Sequence, residues 1–127
     1  MANGVLIVDD SMALARQLEN ILSQMDGLDV VGIASNGAQA IKMYKTLKPD
    51  VVLMDIVMPL MDGLQALRTM LKLDSSAKVV MISSLGGVGS KVEEALRLGA
   101  QNVISKPFDK EQIYSVLAKI FESDSHE

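Results

Sequence analysis

The sequence contains no cysteine and no tryptophan, and its other aromatic residues are two tyrosines and two phenylalanines. Without cysteine, disulfides and thiolate metal centres are excluded, so any metal must be held by oxygen or by the lone His126 in a polar tail. Hard cations that prefer oxygen are therefore the candidates. The scarcity of rings and a net charge of −4 argue against a nucleic-acid surface, which needs a basic stripe and stacking platforms. No run approaches the roughly 18 apolar residues of a membrane span, and the N-terminus lacks a charged segment leading into an apolar stretch and a cleavage site. A cytoplasmic protein without membrane insertion is expected.

What is present is a hydrophobic fraction of 49% in 127 residues, enough for one full core. A single domain over residues 1–122 is expected, monomeric by default, with a short disordered tail at 123–127. Five apolar runs recur along the chain: Val5–Val8, Val30–Ala34, Val51–Met54, Val79–Ile82 and Val103–Ile104. Continuous valine, isoleucine and leucine, without polar alternation, predicts strands covered on both faces, as in a parallel sheet. The segments between them carry helical spacing. Leu14, Leu18, Ile21, Leu22 and Met25 make one stripe, and Ala40, Ile41, Tyr44 and Leu47 a second. Leu64, Leu67 and Leu71 mark a third, Val92, Ala95, Leu96 and Gly99 a fourth, and Ile113, Val116, Leu117, Ile120 and Phe121 a fifth. Ser11 and Asp109 are placed to cap the first and fifth helices, and Lys48-Pro49 to stop the second. The expectation is an α/β fold, (βα)5, a doubly wound five-stranded parallel sheet.

In such a sheet, ligands gather beyond the carboxyl ends of the strands, where strand order reverses. The polar residues that follow the apolar runs are Asp9 and Asp10, Asp55, Ser83 and Lys106, all at that edge. With the flavodoxin-like order 2-1-3-4-5, strands one and three are neighbours, so the three aspartates converge while Ser83 and Lys106 flank them. Carboxylates that close repel one another unless a divalent ion neutralises them. An all-oxygen site suits magnesium, with manganese as the alternative, and leaves room for a phosphoryl oxygen. Asp62-Gly63 reads as a turn that starts the third helix, and Met54, Met58 and Met61 as packing residues. Gly86, Gly87 and Gly89 read as a turn, because no Gly-Lys-Ser/Thr order accompanies them.

The run Asp55-Ile56-Val57-Met58-Pro59-Leu60-Met61-Asp62-Gly63 resembles the phosphorylation loop of response-regulator receiver domains of two-component signalling, the CheY-like fold. The similarity continues through Leu6-Ile7-Val8-Asp9-Asp10-Ser11, Lys48-Pro49-Asp50, Ser83, Leu98-Gly99-Ala100 and Lys106-Pro107-Phe108. It implies that Asp55 is the phosphoacceptor, that Asp10, Asp55 and the Val57 backbone carbonyl ligate magnesium, and that Asp9 holds metal-bound water. Lys106 would pair with the phosphoryl group and Ser83 would donate its hydroxyl to it. A cis Lys106-Pro107 peptide is implied as well.

The same resemblance implies a sensor histidine kinase or phosphotransfer protein as donor, and a target, in chemotaxis or another phosphorelay, that reads helix four, strand five and helix five. No output domain follows, so the signal would pass through the surface. Ser83 and Val103 occupy the family's switch positions, but Val103 stands where an aromatic ring is usual. Ser84 to Ser90 is glycine-rich and is expected to be a mobile switch loop; its Ser-Ser-Leu stretch is similar to the receiver portion of chemotaxis methylesterases. Val57 and Leu85 fall at positions that tune hydrolysis, and both are apolar, which implies a long-lived acyl phosphate. Two other readings exist. A haloacid-dehalogenase-like phosphatase would need a second acid where Val57 stands, and a phosphorylation-independent pseudo-receiver would not need the intact acid set.

Overall fold

The computed structural model describes residues 2–84 and 90–124. Strands β1 (Asn3–Val8), β2 (Leu28–Ala34), β3 (Val51–Asp55), β4 (Val79–Ser83) and β5 (Asn102–Ser105) alternate with helices α1 (Met12–Leu22), α2 (Gly37–Leu47), α3 (Gly63–Leu73), α4 (Ser90–Leu98) and α5 (Lys110–Asp124). All strand pairs are parallel, in the order β2-β1-β3-β4-β5. The expected α/β class and strand order are therefore observed.

Successive residues in a strand point to opposite faces, and in the central strands both faces are apolar. Val5, Ile7, Val51, Leu53, Val80 and Ile82 join Ala15, Leu18 and Leu22 of α1 and Ile113, Leu117 and Ile120 of α5 in one core. Leu6, Val8, Val52, Met54, Val79 and Met81 join Ala40, Leu67, Met70, Val92 and Ala95 of α2, α3 and α4 in the other. Each fully buried side chain of this size contributes about 1.5–3 kcal/mol of transfer free energy, so the sheet is held from both sides.

The helices begin and end where local chemistry directs. The Ser11 hydroxyl accepts from the Leu14 amide at 3.3 Å, and Asp109 Oδ1 accepts from the Glu111 amide at 3.0 Å. Lys48 closes α2 in the left-handed region, φ 48°, just before Pro49. Two of the predicted stripes are trimmed: Leu47 and Leu96 are exposed, although a Leu47 methyl still rests against Gly32 of β2. Gly99 follows α4 at φ 123°, a conformation open to glycine. Helix α5 runs on to Asp124, past the expected domain end at 122. The expected switch loop falls mostly on residues 85–89, outside the described residues, as do Leu85, His126 and the last three positions of the expected tail.

Candidate functional site

Because the strands run parallel, their carboxyl ends share one edge, and the sheet delivers the polar residues there together. Asp55 and Ser83 are the last residues of β3 and β4, and Asp9 and Asp10 directly follow β1. Since Val8 pairs with Met54, the β1 and β3 ends are adjacent in register. One carboxylate oxygen from each of Asp9, Asp10 and Asp55 lies within 4.8 Å of the others. Asp9 and Asp55 are buried, 1% and 6% exposed, whereas Asp10 faces solvent.

Lys106 follows β5 and reaches across β4. Its Nζ donates to Asp55 Oδ2 at 3.0 Å and lies 3.4 Å from Asp9 Oδ2. Its backbone amide donates to the Ser83 carbonyl at 2.8 Å, which ties the ends of β4 and β5 together. The Lys106-Pro107 peptide is cis, as the motif resemblance implies. Asp9 Oδ1 accepts from the Ser11 amide at 2.9 Å, and Asp55 Oδ1 from the Val57 amide at 3.3 Å. Those two backbone donors were not foreseen, because an amide carries no residue-specific signal in a sequence.

The electrostatics follow from this crowding. Burial pushes the Asp55 carboxyl above its ordinary value; the Lys106 hydrogen bond and charge pull it back, and Asp9 repels it upward again. Burial alone would depress the Lys106 ammonium, yet its hydrogen bond and attraction to Asp55, together with Asp9, raise it. One cation thus contacts two of three carboxylates, and among the described residues the fully buried Asp9 Oδ2 has no hydrogen bond beyond its 3.4 Å ion pair with Lys106. With one ammonium shared between two buried carboxylates, their charge is only partly compensated, and a further positive charge is favoured there. The donor set is all oxygen, two of its members are recessed, and one buried oxygen accepts no hydrogen bond, so the residues fit a small divalent cation.

Other sequence candidates fall elsewhere. Asp62 caps α3: its side chain accepts from the Gln65 amide at 3.0 Å, and Gln65 Oε1 accepts the Asp62 amide in return. Val57 is 58% exposed at the mouth of the site. Val103 is partly buried against the core shared with α2, α3 and α4.

Residues 5–118 match the response regulator receiver domain. A chemotaxis protein CheY of Thermotoga maritima is 40% identical over 120 residues, which cover 94% of this chain and 98% of that protein. Among solved structures, the CheX-CheY-BeF3-Mg+2 complex from Borrelia burgdorferi matches with a TM-score of 0.87 at 36% identity, covering 94% of this chain and 89% of that one. The response regulator domain of Thermotoga maritima CheB matches with a TM-score of 0.83 at 35% identity, covering 100% of this chain and 99% of that one.

Proposed function

Since the chain belongs to the response regulator receiver family, whose general function is phosphorylation on an aspartate, we propose that Asp55 accepts a phosphoryl group from a phosphohistidine and that the change is read by a partner protein. The observation that carries this reading is the set of three carboxylates within 4.8 Å, with one lysine bonded to Asp55 and paired with Asp9, at the carboxyl edge of a parallel sheet.

Asp9, Asp10, Asp55 and the Val57 carbonyl would hold magnesium, which supplies neutralising charge to the transferring phosphoryl oxygens. The Asp55 carboxylate attacks phosphorus in line, the bond between phosphorus and the imidazole nitrogen breaks with its electron pair staying on nitrogen, and the ring, already protonated on its other nitrogen, leaves as neutral imidazole. Lys106 exchanges part of its contact with Asp55 for the new phosphoryl oxygens, so the charge it stabilises grows as transfer proceeds. Such a domain is a signalling switch rather than an ordinary enzyme.

Phosphorylation adds about −1.5 to −2 charge and strong acceptors beside Ser83 and Lys106. Both residues are drawn toward it. Because the Lys106 amide is bonded to the Ser83 carbonyl, the ends of β4 and β5 move as a unit, and the change reaches the surface of α4, β5 and α5. Val103 has no ring to swing, so this backbone link carries the coupling. The apolar Val57 at the mouth restricts attacking water and lengthens the acyl phosphate; a decay within a few seconds would count against that.

The test is incubation with acetyl phosphate and magnesium, followed by intact mass. A phosphoryl adduct is expected on the native protein and not on Asp55→Asn. A native protein that gains no adduct would identify a phosphorylation-independent interaction module instead.

A further inference from the structure

At the edge of the sheet opposite the acid site, the ends of α2 and α3 enclose a cleft of about 530 Å³. It is lined by Tyr44, Lys45, Lys48 and Pro49 from the end of α2 and by Leu73 and Asp74 from the end of α3. That is the size of a ligand cavity. Its two sides are tied together, because the hydroxyl of the buried Tyr44 donates to Asp74 Oδ2 at 2.9 Å.

Charge is segregated here. Acidic residues outnumber basic ones by 16 to 12 in the chain, yet α2 and α3 carry Lys42, Lys45, Arg68 and Lys72 and no carboxylate. Lys45 and Lys48 are exposed, and among the described residues their ammonium groups form no ion pair or hydrogen bond. The acids beside them are committed elsewhere. Asp74 accepts from Tyr44 and from the Ser76 amide and hydroxyl, and Asp50 Oδ2 accepts from the Gly4 amide.

Attraction to the carboxyl end of α2 suits a lysine in its last turn. It does not account for Leu73, which α3 brings to the same cleft with 50% of its surface in solvent. Two unpaired ammonium groups and an apolar wall around one recess are complementary to an apolar anchor flanked by carboxylates. A bilayer surface is too flat to enter a recess, and a nucleic acid would find no exposed ring there, since Tyr44 is buried. We propose that this cleft docks a segment of a partner protein that carries an apolar anchor between acidic residues. Lys48 and Asp74 precede the amino ends of β3 and β4, whereas Asp55 stands at a carboxyl end, so docking tethers the partner without entering the acid site.

The experiment titrates the full chain with short synthetic peptides that place leucine, phenylalanine or tryptophan among aspartates and glutamates, with serine-centred counterparts and phosphatidylglycerol vesicles alongside. At least one apolar-centred peptide should bind saturably, with amide NMR shifts centred on Lys45, Lys48, Leu73 and Asp74, and about tenfold more tightly than its serine counterpart. Lys45→Gln/Lys48→Asn should weaken it by about tenfold. That variant should melt no lower than the native protein, because asparagine suits the left-handed backbone at residue 48, and Lys45→Gln alone should act in the same direction. Lys91→Gln/Lys119→Gln removes equal charge from other exposed positions and should weaken binding by less than about twofold. Labelling of Asp55 by acetyl phosphate should be the same in every variant. The proposal is overturned if no peptide binds, if the shifts centre outside the cleft, if both lysine pairs weaken binding equally, or if Lys45→Gln/Lys48→Asn loses Asp55 labelling. Vesicle binding abolished by Lys45→Gln/Lys48→Asn would assign the lysines to a membrane, and a native dimer that this variant dissociates in sedimentation would assign the cleft to a second copy; either replaces the proposal.

Discussion

Gly63 opens α3 directly beneath β3, and its amide donates to the Ile56 carbonyl at 2.8 Å. A Cβ there would press on the Asp55 carbonyl oxygen and lie 2.8 Å from Ile56 Cα. Both are backbone atoms that cannot yield without moving the connection that carries Asp55. Gly32 is crowded differently, because a Cβ would meet Met43 Cε at 2.5 Å and Leu47 Cδ1 at 2.9 Å, the flexible ends of α2 side chains. Gly63→Ala should therefore cost about 3 kcal/mol and Gly32→Ala about 1 kcal/mol, read from urea midpoints; the reverse ranking would contradict the packing argument. Tyr44 offers a second measurement at this scale. Its hydroxyl donates to Asp74 Oδ2 at 2.9 Å, and burial, that hydrogen bond and the carboxylate charge push the phenol up to about 12. The unfolded chain then releases the phenolic proton at lower pH than the native one, so native stability falls as pH rises through 10 toward 12. Tyr44→Phe should be less stable by about 1 kcal/mol at pH 7, and the gap should close across that interval in pH-dependent urea melts. A constant gap would show that the hydroxyl does not sense its surroundings.

Among the elements, the β3–α3 connection decides most. Asp62 could be mistaken for a fourth acid of the site, but its carboxylate is committed to the capping box with Gln65. Asp62→Ala should lose about 1 kcal/mol of stability and still accept phosphate from acetyl phosphate at a near-native rate. Collapse of labelling in a folded variant would return Asp62 to the chemistry. The elements were legible in the sequence to the extent that burial on both faces wrote them there: each central strand is an unbroken apolar run, because each feeds two cores. The edge strands were read less completely. β2 begins at Leu28, and one extra residue enters its pairing, with Val5 opposite Val30 but Leu6 opposite Gly32. No periodicity announces such a bulge, since one inserted residue leaves the apolar run unbroken. Leu47 and Leu96 fit their helical stripes yet stay partly in solvent, because a stripe gives the angle of a side chain and not how completely its neighbours cover it. In the site, the five side chains were legible because each ends or follows an apolar strand run. The Ser11 and Val57 amides and the left-handed Leu60 were not, because backbone direction is set by tertiary closure.

At the scale of the whole molecule, every strand carries both cores, so strain at one edge of the sheet is felt by the cooperative unit as a whole. Three carboxylates against one ammonium at that edge concentrate negative charge in a chain already at −4. Their repulsion opposes folding when no cation is bound, and a cation that binds only the folded state reverses it. At a magnesium concentration 100 times its dissociation constant, linkage adds about 2.7 kcal/mol. Asp10 is the exposed member of the set, so removing its charge relieves repulsion without leaving a buried group unsatisfied. With carboxylate oxygens up to 4.8 Å apart in a partly solvated site, that relief is worth about 1 kcal/mol. Asp10→Asn should therefore melt above the native protein in chelator and gain less when magnesium is added, so that the two melting curves cross as magnesium is titrated. Scanning calorimetry across a magnesium series checks both halves. Equal melting temperatures in chelator would mean that the three carboxylates do not share one electrostatic site, and an equal gain from magnesium would mean that Asp10 does not hold the ion.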